Sequence, residues 1–320
     1  YDPGIYSTTE ELLALAREAA STGGRYISHV RSEDRRFWEA IDEILRIGRE
    51  AAIPVQISHV KLAMRQNLGK AEELIRILDG ARAAGVDVTA DIYPYTYWES
   101  SLTVLFPDRD FEDVETAAFA LSEITTPDQA TLGEYAPHPD YAGRTLREVA
   151  EMRGADPATT LIELIRESQA FQKQTGREEV ESVIATSMEE ADIERLMRWS
   201  HTNLCTDGSL AGSHPRGFGS YPRFLGRYVR ERRIMDLATA VHKASGLAAA
   251  HMGIRDRGAI GPGMMADLVL FDPSSVLDRA TPQAPHALSV GIETVWVNGE
   301  IVYENAYGDG TPLEALERLA

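Results

Sequence analysis

The sequence predicts an α/β fold built on parallel strands, followed by a small C-terminal β-module. Three observations predict it. Short apolar runs alternate with amphipathic helical patterns at a spacing of roughly 30 residues, the rhythm of a parallel sheet. The tetrapeptide Ile-Ser-His-Val occurs twice, at 27–30 and at 57–60, each time at the end of such a run. From Ala266 onward β-rich segments dominate, and two of them are joined by Asn298-Gly299.

The elements follow in order. Thr8 to Gly23 reads as a helix. Thr8 and Glu11 match a capping box, Leu12, Leu15, Ala16 and Ala19 share one face, and Gly23-Gly24 ends it. "RYISHV" is a short strand. Residues 34–51 form a helix with Phe37, Ile41, Ile44 and Leu45 on one side, and "IPVQISHV" is the next strand. Lys70 to Ala84 is a helix with Leu74, Ile77, Leu78 and Ala81 inward and Gly85 as its stop. "VDVTADIYPY" is a third strand. An open sheet and a closed barrel both fit this pattern.

The rhythm breaks after Pro94. Residues 98–180 are polar, helix-rich and punctuated by Pro107, Pro127, Pro137, Pro139 and Pro157, as an insertion or as elaborated loops on one face. "ESVIATS" is a strand, either of the main sheet or of the insertion. A helix capped by Ser187 and Glu190 follows, then the strand "TNLCTDG". Gly208 to Gly219 reads as a glycine-rich loop, and residues 232–252 as helical. In the C-terminal module "ADLVLFD", "ETVWV" and "EIVYE" are strands, and Asn298-Gly299 is a type I′ hairpin signal. Three strands are too few to close a core by themselves.

Composition bounds the function. The 320 residues are 43% hydrophobic and 26% charged, enough for a sizeable core. A net charge of −18 argues against nucleic acid or an anionic membrane as partner. The single cysteine, Cys205, excludes an intrachain disulfide and an all-cysteine zinc cluster, and it fits a cytoplasmic location.

In a βα barrel the carboxyl ends of the strands face the active site. His29 and His59 occupy such ends in successive βα units, so both imidazoles can meet on one metal ion. Either histidine alone would more simply be a polar residue at a strand end; the repeat favours the metal. Asp207 in "LCTDG" also ends a strand. It is a metal ligand, a general base or both, unless it is only a turn aspartate before Gly208. Arg216 in "GSHPRG" can hold a carboxylate in a bidentate fashion, or it is a solvated surface arginine. Lys61 follows His59 by two positions and either enters the same pocket or sits in water. Tyr93 and Tyr95 belong to an aromatic cluster after the third strand that walls a pocket or packs under the insertion. Cys205 reads as a small buried residue. His138, His201, His242, His251 and His286 have no partners at metal spacing.

Taken together, "SHVRSE", "ISHVK", "ADIYPYT", "TDGSLAGSHPR", "ADLVLFDP" and "PHALSVGIETVWVNGEIV" resemble the N-acyl-D-amino-acid deacylases (D-aminoacylases) of the amidohydrolase superfamily. The likeness covers nearly the whole chain and is weakest over 98–180. It implies a partial TIM-type (β/α) barrel over residues 1–265, interrupted by the insertion, and over 266–320 part of a small β-sandwich with a C-terminal tail.

The resemblance also implies roles. His29 and His59 match metal-binding histidines and Asp207 the catalytic aspartate. Arg216 matches the arginine that holds the substrate carboxylate. Lys61 matches the lysine of a Ser-His-His-Lys run in which Val60 here replaces the second histidine. Tyr93 or Tyr95, together with Tyr1, match pocket tyrosines. The implied cofactor is zinc, as one or two divalent ions. The implied reaction is hydrolysis of the amide bond of a small N-acyl-D-amino acid, with Asp207 moving the proton.

The departure lies at the start. The family's first barrel strand carries His-x-His, and a metal-binding cysteine follows; neither occurs in these 320 residues. The expectation is a chain that starts mid-barrel. The alternatives are a cyclic-amide hydrolase of the hydantoinase or dihydroorotase kind, and a non-catalytic truncated homologue. The sequence leaves the oligomeric state open.

Overall fold

A computed structural model describes residues 1 and 3–305. The C-terminal tail expected after the β-module lies outside the described residues. Helix α1 (Thr9–Ser21) leads into β1 (Tyr26–Ser28), α2 (Phe37–Ala51) into β2 (Val55–Ile57), and α3 (Ala71–Ala83) into β3 (Val88–Ile92). The chain then departs through β4 (Tyr97–Ser100), β5 (Ala130–Tyr135) and β6 (Glu181–Thr186). It returns by the helix Glu190–Arg198 to β7 (Thr202–Leu204).

Strands β1, β2, β3 and β7 form one parallel sheet in that order. Its register aligns Ser28 with Ile57, Ile57 with Ala90, and Ile92 with Leu204. The carboxyl ends therefore lie side by side, and whatever follows each strand emerges at one rim. Strands β2, β3 and β7 are buried along their whole length, as a parallel sheet covered on both faces requires. Leu74, Leu78, Ile41, Ile47 and Phe37 on the flanking helices are nearly or fully buried against them.

The excursion between β3 and β7 makes its own antiparallel sheet in the order β4-β6-β5. "ESVIATS" thus pairs with β4 and β5, not with the parallel strands. Ser187 does not cap the helix after it: Glu189 occupies that position with no side-chain bond, and the Ser187 hydroxyl accepts the Trp98 indole N–H at 2.7 Å. A buried indole N–H needs an acceptor, and that need outranks an exposed helix end.

One further expectation is corrected. Arg216 is not on a loop but opens the helix Arg216–Arg223. Pro215, with φ −66°, precedes it in a helical conformation and starts the turn despite the glycines. The helical stretch expected over 232–252 consists of two helices, Leu237–Ala244 and Gly246–Met252, broken at Ser245.

A third sheet, order β10-β9-β8, contains β8 (Leu268–Phe271), β9 (Ile292–Val297) and β10 (Glu300–Glu304). Its hairpin turns at Asn298 and Gly299, both with positive φ (53° and 85°), as a type I′ turn demands. Among the described residues no helix is long and apolar enough to cross a membrane.

Candidate metal and active site

His29 follows β1 directly, and His59 lies two residues beyond β2. The ladder between these strands runs one rung further, since the Ser58 N–H donates to the Ser28 carbonyl at 3.0 Å. His59 then adopts φ +38°, a left-handed conformation uncommon outside glycine. Asp91 on β3 stabilises it by accepting the His59 N–H at 2.7 Å, while the Asp91 carbonyl accepts the Val60 N–H at 2.8 Å. The result brings His29 Nδ1 and His59 Nε2 to 3.0 Å.

Sequence reasoning missed the third member of this cluster. Glu33 lies in the loop before α2, and its carboxylate is 3.8 Å from His29 Nδ1, 3.3 Å from His59 Nδ1 and 2.6 Å from Lys61 Nζ. Among the described residues, His29, Glu33 and His59 form the one group whose donor atoms all lie within 4.8 Å of one another. The available signal was an acidic residue four positions after His29 in "SHVRSE".

The electrostatics are those of a dry cluster. Burial pushes the His29 imidazole down to about 4, with Lys61 and His59 adding to the effect and Glu33 opposing it. Burial also works to raise the Glu33 carboxyl, but the Lys61 ammonium and the two imidazoles outweigh it and hold it well below the usual carboxylate range. Lys61, 5% exposed, touches both Glu33 and His59 Nδ1, each at 2.6 Å.

Asp207 follows β7 and also takes a left-handed conformation, φ +48°. It stands outside the group of His29, Glu33 and His59. Its carboxylate pairs instead with Arg216, Nη1 to Oδ2 at 2.8 Å. Gly208 lets this loop meet the helix behind it, because a Cβ there would come within 2.5 Å of Gly217 backbone. The Arg216 guanidinium lies over the Tyr93 ring, 4.9 Å from its centroid.

These residues face one cavity of about 130 Å³. His29, Glu33, His59, Lys61, Asp207, Arg216, Tyr93 and Tyr1 all line it, and the Tyr1 ring lies 4.6 Å from that of His29. The structure separates the two candidate tyrosines. Tyr93 lines the cavity, and burial raises its hydroxyl well above the ordinary value. Tyr95 does not line it; its ring packs on Tyr97 and His214 beneath the Arg223 guanidinium. The Tyr95 N–H donates to the Tyr93 carbonyl at 3.0 Å across Pro94, a tight turn that sends the two rings apart.

A sequence profile of the amidohydrolase family matches residues 103–303. This chain belongs to the amidohydrolase family. The matched part of this amidohydrolase carries Asp207 and Arg216, whereas His29, Glu33 and His59 lie before it.

Named relatives extend the match. The chain is 36% identical to an N-acyl-D-glutamate deacylase of Alcaligenes xylosoxydans xylosoxydans, across 100% of its own length and 60% of the relative's. It is 34% identical to a D-aminoacylase of the same organism, across 95% of this chain and 57% of the relative. A crystal structure of N-acyl-D-glutamate deacylase from Bordetella bronchiseptica, complexed with zinc and a phosphonate mimic of the tetrahedral intermediate, superposes with a TM-score of 0.82. The identity is 34%, over 98% of this chain and 60% of that one. A D-aminoacylase crystal structure gives a TM-score of 0.81 at 32% identity, over 97% of this chain and 59% of that one. The amidohydrolase chain thus spans about 60% of the length of the proteins it resembles. Its four parallel strands are part of a TIM-type (β/α) barrel, and the site lies at their carboxyl ends, where such barrels place their chemistry.

The insertion sheet forms part of the cavity wall through Trp98, Glu99 and Ser100 of β4. Glu99 on β4 accepts the backbone N–H groups of Ser213 and His214 at 3.0 and 3.1 Å, and the Ser182 hydroxyl at 3.0 Å. It thereby holds the segment that leads into Arg216. Nothing near Glu99 in the sequence points to a partner 114 residues away.

Proposed function

We propose that this chain supplies the metal-binding and proton-transfer half of a hydrolase that cleaves the amide bond of N-acyl-D-amino acids, giving a carboxylate and a D-amino acid. One observation carries the reading: the paired imidazoles of His29 and His59 open into the same cavity as the Asp207–Arg216 pair.

The donor set fits a divalent ion such as zinc. Bonds of ~2.0–2.1 Å to each imidazole require the two nitrogens to lie within about 4.2 Å of each other, and they are 3.0 Å apart. His29, held neutral by burial, keeps a lone pair to offer. His29 and His59 would hold the ion. A bound ion would supply Lewis-acid polarisation of the acyl carbonyl and a lower pKa for the attacking water.

The chain's own groups supply the rest. The Asp207 side chain is about one-third exposed (33%) and faces the cavity. It takes a proton from water as oxygen bonds to the acyl carbon. It then delivers that proton to the amide nitrogen as the C–N bond breaks, so protons balance across the two steps.

Arg216 holds the substrate carboxylate. Its Nη1 is engaged by Asp207, but its buried Nε has no partner, and neither has the buried hydroxyl of Tyr93. Two unsatisfied polar groups at one cavity are costly unless a ligand satisfies them. Lys61 adds a second cation and Tyr1 an aromatic ring to the lining of the same cavity. The small cavity suits a small N-acyl amino acid, the chain's negative charge disfavours nucleic acid and anionic membranes as partners, and the single Cys205 suits a cytoplasmic setting.

The test is hydrolysis of N-acetyl-D- and N-acetyl-L-amino acids by the complete zinc-loaded hydrolase that contains this chain, with released acetate measured. Turnover of D substrates that a chelator abolishes supports the reading. A complete zinc-loaded hydrolase that leaves the D substrates intact, or that prefers the L series, overturns it.

A further inference from the structure

Glu33 has no role in the reading above, yet it contacts more of the cluster than any other acid. The key atom is His59 Nδ1. It has two neighbours of opposite character: the Lys61 ammonium, a donor, at 2.6 Å, and the Glu33 carboxylate, an acceptor, at 3.3 Å. A neutral imidazole carries one N–H and one lone pair, so it can satisfy only one of them.

The choice decides what the opposite nitrogen presents. When Lys61 donates to Nδ1, the proton sits on Nε2 and points at His29 Nδ1, 3.0 Å away, so both of those nitrogens are occupied. When Glu33 accepts the proton on Nδ1, Nε2 and His29 Nδ1 both turn lone pairs to the space between them. Only the second arrangement can accept a metal ion. A carboxylate behind a metal-binding histidine is a recurrent device for setting tautomer and ring orientation.

We propose that Glu33 is a positioning residue for the metal site: it accepts the Nδ1–H of His59, and in doing so it releases Lys61 from His59 towards the cavity. Lys61 and a metal ion thus compete for the same imidazole, and Glu33, 2.6 Å from Lys61 Nζ, arbitrates between them. Ion binding is thereby coupled to the availability of a cation for substrate. The inference rests on the metal reading of His29 and His59.

The experiment is zinc affinity at fixed pH, by competition with a chromophoric chelator, for wild type, E33Q, E33D and K61M. Folding of each is checked by circular dichroism. E33Q is expected to lose about 10–100-fold in affinity, and E33D to recover part of the loss. K61M is expected to bind at least as tightly as wild type, because a competing donor is gone. Nitrogen-15 spectra of the zinc-loaded wild type should show the His59 proton on Nδ1.

Equal affinity in E33Q and wild type overturns the proposal. So does a loss in K61M as large as that in E33Q, which would mark the cluster as merely structural. If a glutamine variant fails to fold, the K61M affinity and the wild-type tautomer still decide. Wild type that binds no zinc removes the metal reading itself, an outcome distinct from zinc bound indifferently to Glu33.

Discussion

His214 bridges two chain segments through its imidazole: Nδ1 accepts the backbone N–H of Arg216 at 3.0 Å, and Nε2 donates to the Tyr97 carbonyl at 2.9 Å. The two partners, one donor and one acceptor, fix a single neutral tautomer. Burial, reinforced by Arg216, pushes the imidazole down to about 3. The bridge ties the start of the arginine helix to β4 of the insertion, and so fixes where the guanidinium enters the cavity.

H214A should therefore strand a buried N–H and a carbonyl. The expected cost is about 1–3 kcal/mol of stability, with a raised KM and a smaller change in kcat. The pH dependence has a definite sign. The native imidazole stays neutral down to about 3, while the unfolded one titrates near 6.5. The unfolded state binds more protons in that window, so this contribution to stability is full above 6.5 and is lost as pH falls towards 3. H214Q, compared with wild type by chemical denaturation across pH 3–7, should flatten that part of the curve.

Asp91 controls the backbone on which His59 stands. Its carboxylate accepts the His59 N–H and, at 2.5 Å, the Gln56 side-chain N–H, and Gln56 in turn accepts the Thr89 hydroxyl at 3.0 Å. D91N swaps one acceptor oxygen for an amide NH2 donor that faces another donor. A loss of about 1–3 kcal/mol in stability is expected, together with weaker zinc binding as the left-handed turn at His59 relaxes. Denaturation and a metal titration on the same sample check both.

Asp207 shares the cavity with the imidazole pair but stands outside their donor group, so their functions should separate. Asp207→Asn is expected to abolish turnover while zinc content, read by atomic absorption, stays near that of wild type. An asparagine variant that turns over substrate would refute the proton-transfer role.

Glu181 on β6 gives an opposite pH signature. Burial raises its carboxyl to about 7, and the Leu102 N–H it accepts only partly offsets that. With an ordinary value of 4.5, the native state holds more protons than the unfolded one between 4.5 and 7. Stability from this group therefore falls as pH rises through that window and stays low above it. E181Q, whose amide oxygen can still accept from Leu102, should melt higher than wild type at pH 8 and lose the advantage near pH 4. His214 pulls the other way over part of this range, so the two variants must be compared singly with wild type.

Much of this protein is determined by sequence alone. The repeated tetrapeptide, in step with the βα period, placed His29 and His59 at neighbouring strand ends, because parallel strands joined by helices align their carboxyl ends. Asn298-Gly299 required a hairpin, because few residues other than these accept two successive positive φ angles. Tertiary structure alone decided the rest. Tyr93 and Tyr95 share a spacing that cannot tell one from the other; the turn across Pro94 turned one to the cavity and the other to the core. Glu33 joined the imidazoles because its loop folds back over them, which no local pattern encodes. Glu99 reached the Arg216 segment because the insertion sheet packs against it along the cavity wall. Periodicity reports which face of an element is buried, whereas contacts between distant segments depend on how whole elements dock.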